Sequence, residues 1–146
     1  MVIEISTSQD VRAPIEKVWE IVGDLQNEHK LWSEFRGVKI LSKTRSTVER
    51  EAMIRRGPMG EEKSLQILSI DPDHLTTTLT MTKGLLLGTR KITLTEIGKD
   101  QTKIDVEWKA EMKGVPAFAM GLAKGSISGA TERALAEIAE DAERGE

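Results

Sequence analysis

Residues 9–32 read QDVRAPIEKVWEIVGDLQNEHKLW, and within them the chain changes its period twice. Up to Val11 the sequence alternates, with Ile3, Ile5, Thr7, Gln9 and Val11 on one side and Glu4, Ser6, Ser8, Asp10 and Arg12 on the other. That is the pattern of a half-buried strand. Ala13-Pro14 then changes the rule: proline suits the first turn of a helix, and Ile15, Val18, Trp19 and Val22 follow at helical spacing as far as Gly23. Asp24 is placed to cap a second short helix whose covered face carries Leu25, Glu28, Leu31 and Trp32.

From Gly37 onward the period returns to two. Strands are expected near Val38–Lys43, Thr47–Arg55, Glu62–Asp71, Leu75–Lys83, Thr89–Ile97 and Lys103–Met112. Between them stand Gly57-Pro58-Met59-Gly60, Asp71-Pro72-Asp73, the stretch Gly84 to Gly88, and Gly98-Lys99-Asp100-Gln101, which is turn chemistry. Links this short join antiparallel neighbours, since a parallel pair needs a crossover of a dozen residues or more. Leu75, Thr77, Leu79 and Met81 alternate cleanly with threonines, and Ile104, Val106, Trp108, Ala110 and Met112 alternate with charged residues. Leu65 to Ile70 has apolar residues on both parities, which suggests a bulge and leaves its facing open.

After Val115-Pro116 no turn signal interrupts the chain, and Phe118, Leu122, Ile127, Ala130, Ala134, Leu135 and Ile138 recur helically. A helix from Val115 to about Glu143 would run roughly 40 Å, enough to cross a whole sheet. It is also the one element long enough to cover the sheet's apolar face. The expected fold is therefore α+β: a curled seven-stranded antiparallel sheet around a long C-terminal helix, with two short helices after strand 1.

The whole chain, 146 residues at 38% hydrophobic and 31% charged, reads as a single domain over 1–146. Its formal net charge of -3 lacks the field that a nucleic-acid backbone requires, and five aromatics (Trp 3, Phe 2) are too few for base stacking. Cysteine is absent, and the two histidines, His29 and His74, are far apart, so neither a metal site nor another cofactor is expected. With no long apolar run and no basic leader at the N-terminus, the expected location is cytoplasmic. Glu132–Glu146 carries six acidic residues against two basic, and reads as a solvated helix face.

Several residues stand out against this background. Gly121, Gly125 and Gly129 recur every four residues in the long helix, at a cost of about 1 kcal/mol each relative to alanine. Either the backbone packs closely there, or the missing side chains leave room for a ligand or let the helix bend. Gln9, Arg50 and Arg90 fall on inward parities, Arg50 beside Val48 and Ala52 and Arg90 beside Ile92 and Leu94. A buried guanidinium must reach the rim, pair with an acid, or meet a ligand's carboxylate, phosphate or carbonyl. Leu85, Leu86 and Leu87 lie between glycines at an expected hairpin tip. They either pack back onto the body, form a lid, or offer a surface for transient contact with a membrane or another protein. Gly57-Pro58-Met59-Gly60 is a weaker case and is no phosphate loop, lacking the Lys-Ser/Thr of that motif.

The opening strand with Ala13-Pro14, Val18-Trp19, Asp24 and Trp32, followed by the strand meander and the long helix, resembles the START-related superfamily of polyketide cyclases, lipid-transfer domains and pollen-allergen-like proteins. The resemblance spans essentially the whole chain and implies the helix-grip fold, with a hydrophobic cavity between sheet and helix. It also implies that Pro14, Trp19 and Trp32 are chiefly structural. It brings no universal catalytic set, because fold does not fix reaction.

The expected function is binding or transport of a small hydrophobic ligand, a lipid, polyketide or isoprenoid-like molecule. The expected lining is Gln9, Trp32, Phe35, Arg50, Leu79, Met81, Arg90, Ile92, Trp108, Phe118, Leu122 and Gly125. A cyclase or dehydrase would need a positioned acid and base, and the chain has no tyrosine and few histidines to supply them. The enzyme therefore stands as the alternative, with Arg50, Arg90 and Glu96 available to polarise a carbonyl; a protein-binding module is the other alternative.

Overall fold

The computed structural model describes residues 2–32, 35–55, 61–112 and 114–144. The turn expected at Gly57–Gly60 lies outside them. Strand β1 (Val2–Val11) leads through Pro14 into helix α1 (Ile15–Val22) and then a four-residue 3₁₀ turn, Glu28–Leu31. Six strands follow: β2 (Phe35–Lys43), β3 (Thr47–Arg55), β4 (Glu61–Asp71), β5 (Thr76–Lys83), β6 (Leu86–Gly98) and β7 (Gln101–Met112). Helix α2 (Ala117–Arg144) closes the chain.

All seven strands form one antiparallel sheet in the order β1-β7-β6-β5-β4-β3-β2. Strands β2 to β7 form a simple meander, as short turns dictate, and β1 returns to pair with β7, Ile5 lying opposite Trp108. The second short helix is only a 3₁₀ turn. Its N-cap is Asn27, not Asp24, with no side-chain cap hydrogen bond; the Asp24 carboxylate instead accepts from the Asn27 side chain at 2.9 Å. Leu65–Ile70 carries the register shift that its double parity suggested, between Leu65 and Gln66. Ser64, Gln66 and Leu68 then face inward and are buried, while Ile67 is exposed.

Strand β6 starts earlier than its turn glycines suggest. Leu86 is buried opposite Met112, and Leu85 and Leu87 are half-buried. The three leucines thus pack largely back onto the body, and the expectation of membrane or protein contact there finds no support. Gly88 belongs inside the strand, opposite Ala110, because at φ 141° a Cβ would lie 2.1 Å from the Lys109 carbonyl oxygen.

Helix α2 crosses the β1 side of the sheet and leans on α1. Its second half buries Ala134, Leu135, Ile138 and Ala142, which join Val11, Val18, Ile104 and Val106 in the core. Thr131 ties helix to sheet, accepting from Trp108 Nε1 at 2.9 Å and donating to the Ile127 carbonyl at 2.7 Å. At the helix end Glu143 accepts the Arg12 backbone N–H at 3.0 Å, which occupies one carboxylate of the acidic tail.

Candidate functional site

The inward residues of the strands form rows across the sheet. Val48, Leu68, Leu79, Arg90, Trp108 and Ile5 make one row, and Arg50, Gln66 and Met81 lie in the next. Arg50 and Arg90 thus start three strands apart, about 14 Å at the usual spacing of a flat sheet. The curl of the sheet and the reach of two long side chains bring both onto a single carboxylate, that of Glu28 on the 3₁₀ turn. Arg50 Nη1 donates to Glu28 Oε2 at 2.7 Å, and Arg90 Nη2 donates to Glu28 Oε1.

The cluster is deeply buried: both arginines are 0% exposed and Glu28 is 3% exposed. Arg50 Nε also donates to Gln66 Oε1 at 2.7 Å, and Gln66 Nε2 donates to Ser64 Oγ at 3.2 Å. Aromatic rings form the walls. The Arg90 guanidinium lies 4.2 Å from the Trp32 ring centroid and 5.8 Å from that of Trp108, and Arg50 lies 5.2 Å from Phe35. Trp32 and Trp108 meet edge-to-face at 5.8 Å. Aromatic faces suit guanidinium groups stripped of water, because the ring quadrupole is negative at its face.

Burial works to raise the Glu28 carboxyl, but the charges of Arg90 and Arg50 and their hydrogen bonds outweigh it and hold the group below its ordinary value. It is a carboxylate at neutral pH. Burial pulls Arg90 down, with Glu28 opposing. His29, next in the chain, is also lowered, first by burial and then by Arg50, and is neutral at pH 7.

Hydrogen bonding here is incomplete. Arg50 Nη2, Arg90 Nε, Arg90 Nη1, Trp32 Nε1 and His29 Nδ1 are buried without a partner. An unpaired buried N–H costs about 1–3 kcal/mol, so these donors are expensive for the fold.

The structure brings Trp32, Phe35, Arg50, Leu79, Met81, Arg90, Ile92 and Trp108 into one buried interior. Gln9 is half-buried on β1, opposite Ile104 and farther along the sheet. Phe118 and Leu122 are 75% and 73% exposed, and a Cβ on Gly125 would meet nothing within 4 Å. These three lie on the outward face of α2, away from the arginines. The glycine stripe is therefore not a close-packing device; at Gly121 and Gly125 the backbone faces open space.

The interior is also not a standing hollow at this level, since full burial of both arginines leaves no water-sized space against them. An open cleft of about 520 Å³ lies to one side, between Gly23–Gln26 and the β2–β3 hairpin. It reaches Val48, which shares the inner face of β3 with Arg50.

Glu28 is the residue that sequence reading did not place in the site. Its position with Leu25 and Trp32 on the covered face marks it as buried, and two inward arginines require an acid. The pairing itself spans 22 residues to Arg50 and 62 to Arg90, beyond any local pattern.

Comparison with known proteins agrees with this architecture. A family model described as polyketide cyclase / dehydrase and lipid transport matches residues 2–143. No curated protein sequence matches the chain. Among solved structures, the Zhui aromatase/cyclase from Streptomyces sp. R1128 superposes with a TM-score of 0.86 at 12% identity, covering 99% of this chain and 95% of that one. A START superfamily protein from Mycobacterium smegmatis gives 0.75 at 18% identity, over 94% and 97% of the two chains. A protein of Thermus thermophilus gives 0.75 at 15%, over 95% and 96%. At such identities the likeness is one of fold.

Proposed function

The chain belongs to the polyketide cyclase / dehydrase and lipid transport family, and from that premise we propose that it binds a small hydrophobic ligand bearing an oxygen acceptor, between the curled sheet and α2. The observation that carries this reading is the set of unpartnered N–H donors on Arg50, Arg90 and Trp32 inside an aromatic interior. Apolar walls with a few convergent polar groups are what a binding site for such a molecule needs. The site residues we assign are Trp32, Phe35, Arg50, Leu79, Met81, Arg90, Ile92 and Trp108.

Binding requires the interior to open. The 3₁₀ turn that carries Glu28 and precedes Trp32 is only four residues long, and residues 117–129 of α2 bury only Met120. Glycines at 121 and 125, facing open space, lower the cost of bending that half. The ligand enters as the 3₁₀ turn and the front of α2 move apart, with residues 1–146 acting as one cytoplasmic domain.

Two of the three tryptophans line the site, so their fluorescence reports occupancy. Freshly purified protein examined by native mass spectrometry should carry a mass adduct lost on delipidation, and adding back an aliphatic or aromatic oxygenated ligand should shift the tryptophan emission. No adduct, together with no spectral change across fatty acids, alcohols and aryl ketones, would refute binding.

A second reading, cyclase or dehydrase activity, is favoured by one feature. His29 is neutral, its Nδ1 is buried and unpartnered, and it adjoins Glu28, the state a proton acceptor needs. Loss of turnover of a poly-β-ketone model substrate in His29→Gln, with ligand binding retained, would support it.

A further inference from the structure

The charge of the buried cluster does not balance. Arg50 and Arg90 bring two positive charges and Glu28 one negative, while neighbouring His29 is neutral, leaving one positive charge in excess. No other described carboxylate is hydrogen-bonded or ion-paired to either guanidinium. Burying an uncompensated charge costs several kcal/mol, and neither a water molecule nor a neutral carbonyl would remove that excess.

The free donors belong to the same groups. Arg50 Nη2, Arg90 Nε and Arg90 Nη1 are on the two guanidinium groups that Glu28 bridges, and Trp32 Nε1 is on the ring beneath Arg90. All are at least nine-tenths buried. Resting on the binding reading above, we infer that the ligand's polar end is a carboxylate. It completes the cluster against these donors while Glu28 stays in place, so that two cations face two anions. The preferred ligands are then fatty or aryl acids, and the corresponding esters, alcohols and neutral ketones are discriminated against. Discrimination of this kind follows from charge-assisted hydrogen bonds, which are about twice as strong as neutral ones.

The test compares laurate with methyl laurate and dodecanol, by calorimetry and tryptophan fluorescence, on the intact protein. The wild type should bind laurate about ten- to hundredfold more tightly than the ester. The ratio should track the interior charge. In Arg90→Gln, which leaves the neutral Arg50–Glu28 pair, the acid-to-ester ratio should fall to near one, and in Glu28→Gln it should rise. If wild-type protein binds acid and ester equally, the carboxylate inference is overturned and ligand binding stands. If it binds none of the three, and no aryl acid or ketone either, both fall. The wild-type ratio needs no variant to fold, so the inference stays testable even if Glu28→Gln is unstable.

Discussion

The two ends of the molecule's interior are built on opposite terms. Under the second half of α2, Leu135, Ile138 and Ala142 meet Val11, Val18 and Ile104 in a core without a buried charge, where burial stabilises at about 25 cal/mol per Å². Around Glu28 stand three ionised groups, four unpartnered guanidinium and indole N–H donors, and two tryptophan rings. The first arrangement adds stability; the second consumes it. A fold that keeps its expensive chemistry at one end and its cheap packing at the other is using the one to hold the other in position.

Perturbing each end should give different signatures. The largest effect expected is at Glu28: Glu28→Ala strands two buried cations and should lower unfolding free energy by about 3–5 kcal/mol, measured by urea denaturation. If the loss were below about 1 kcal/mol, the cluster would not be buried as described. At the apolar end, Leu135→Ala should cost about 3 kcal/mol and roughly 10 °C in Tm, measured by thermal denaturation.

Acid should separate the ends as well. The Glu28 carboxyl is held below its ordinary 4.5 in the folded chain, so its stabilisation is complete above that value and disappears as pH falls through the folded pKa. Glu28→Gln should therefore flatten the stability profile below about pH 4.5 relative to wild type, whereas Leu135→Ala should shift the whole profile without changing its slope. An unchanged acid limb in Glu28→Gln would remove the carboxylate from the cluster.

On the outward face of α2 the sign reverses. Gly125→Ala meets no neighbour and should stabilise by about 1 kcal/mol while slowing ligand uptake if that half must bend; uptake at the wild-type rate would exclude bending. Smallest of all, Phe118→Ser should change stability by no more than about 0.5 kcal/mol, since the ring is 75% exposed.

The strands and the long helix were legible because a half-buried sheet imposes strict alternation and its hairpins demand turn residues. The inward facing of Arg50 and Arg90 could be read the same way. Gly88 could not: a glycine in a turn and a glycine under a neighbouring carbonyl look alike until the opposing strand is known. Nor could the facing of Phe118 and Leu122. The front of α2 is apolar on more than one side, so periodicity alone cannot choose which side the sheet takes. Glu28 is the instructive case, since its position on the covered face was visible and its partners, drawn from β3 and β6, were not.

Because a single carboxylate gathers guanidinium groups from β3 and β6, it cannot close its bonds until all four strands from β3 to β6 are in register. A contact that needs four strands in register is expected to close after the rate-limiting step. Its contribution then falls on the unfolding limb, making Glu28 a residue that governs how long the native molecule lasts more than how quickly it is reached.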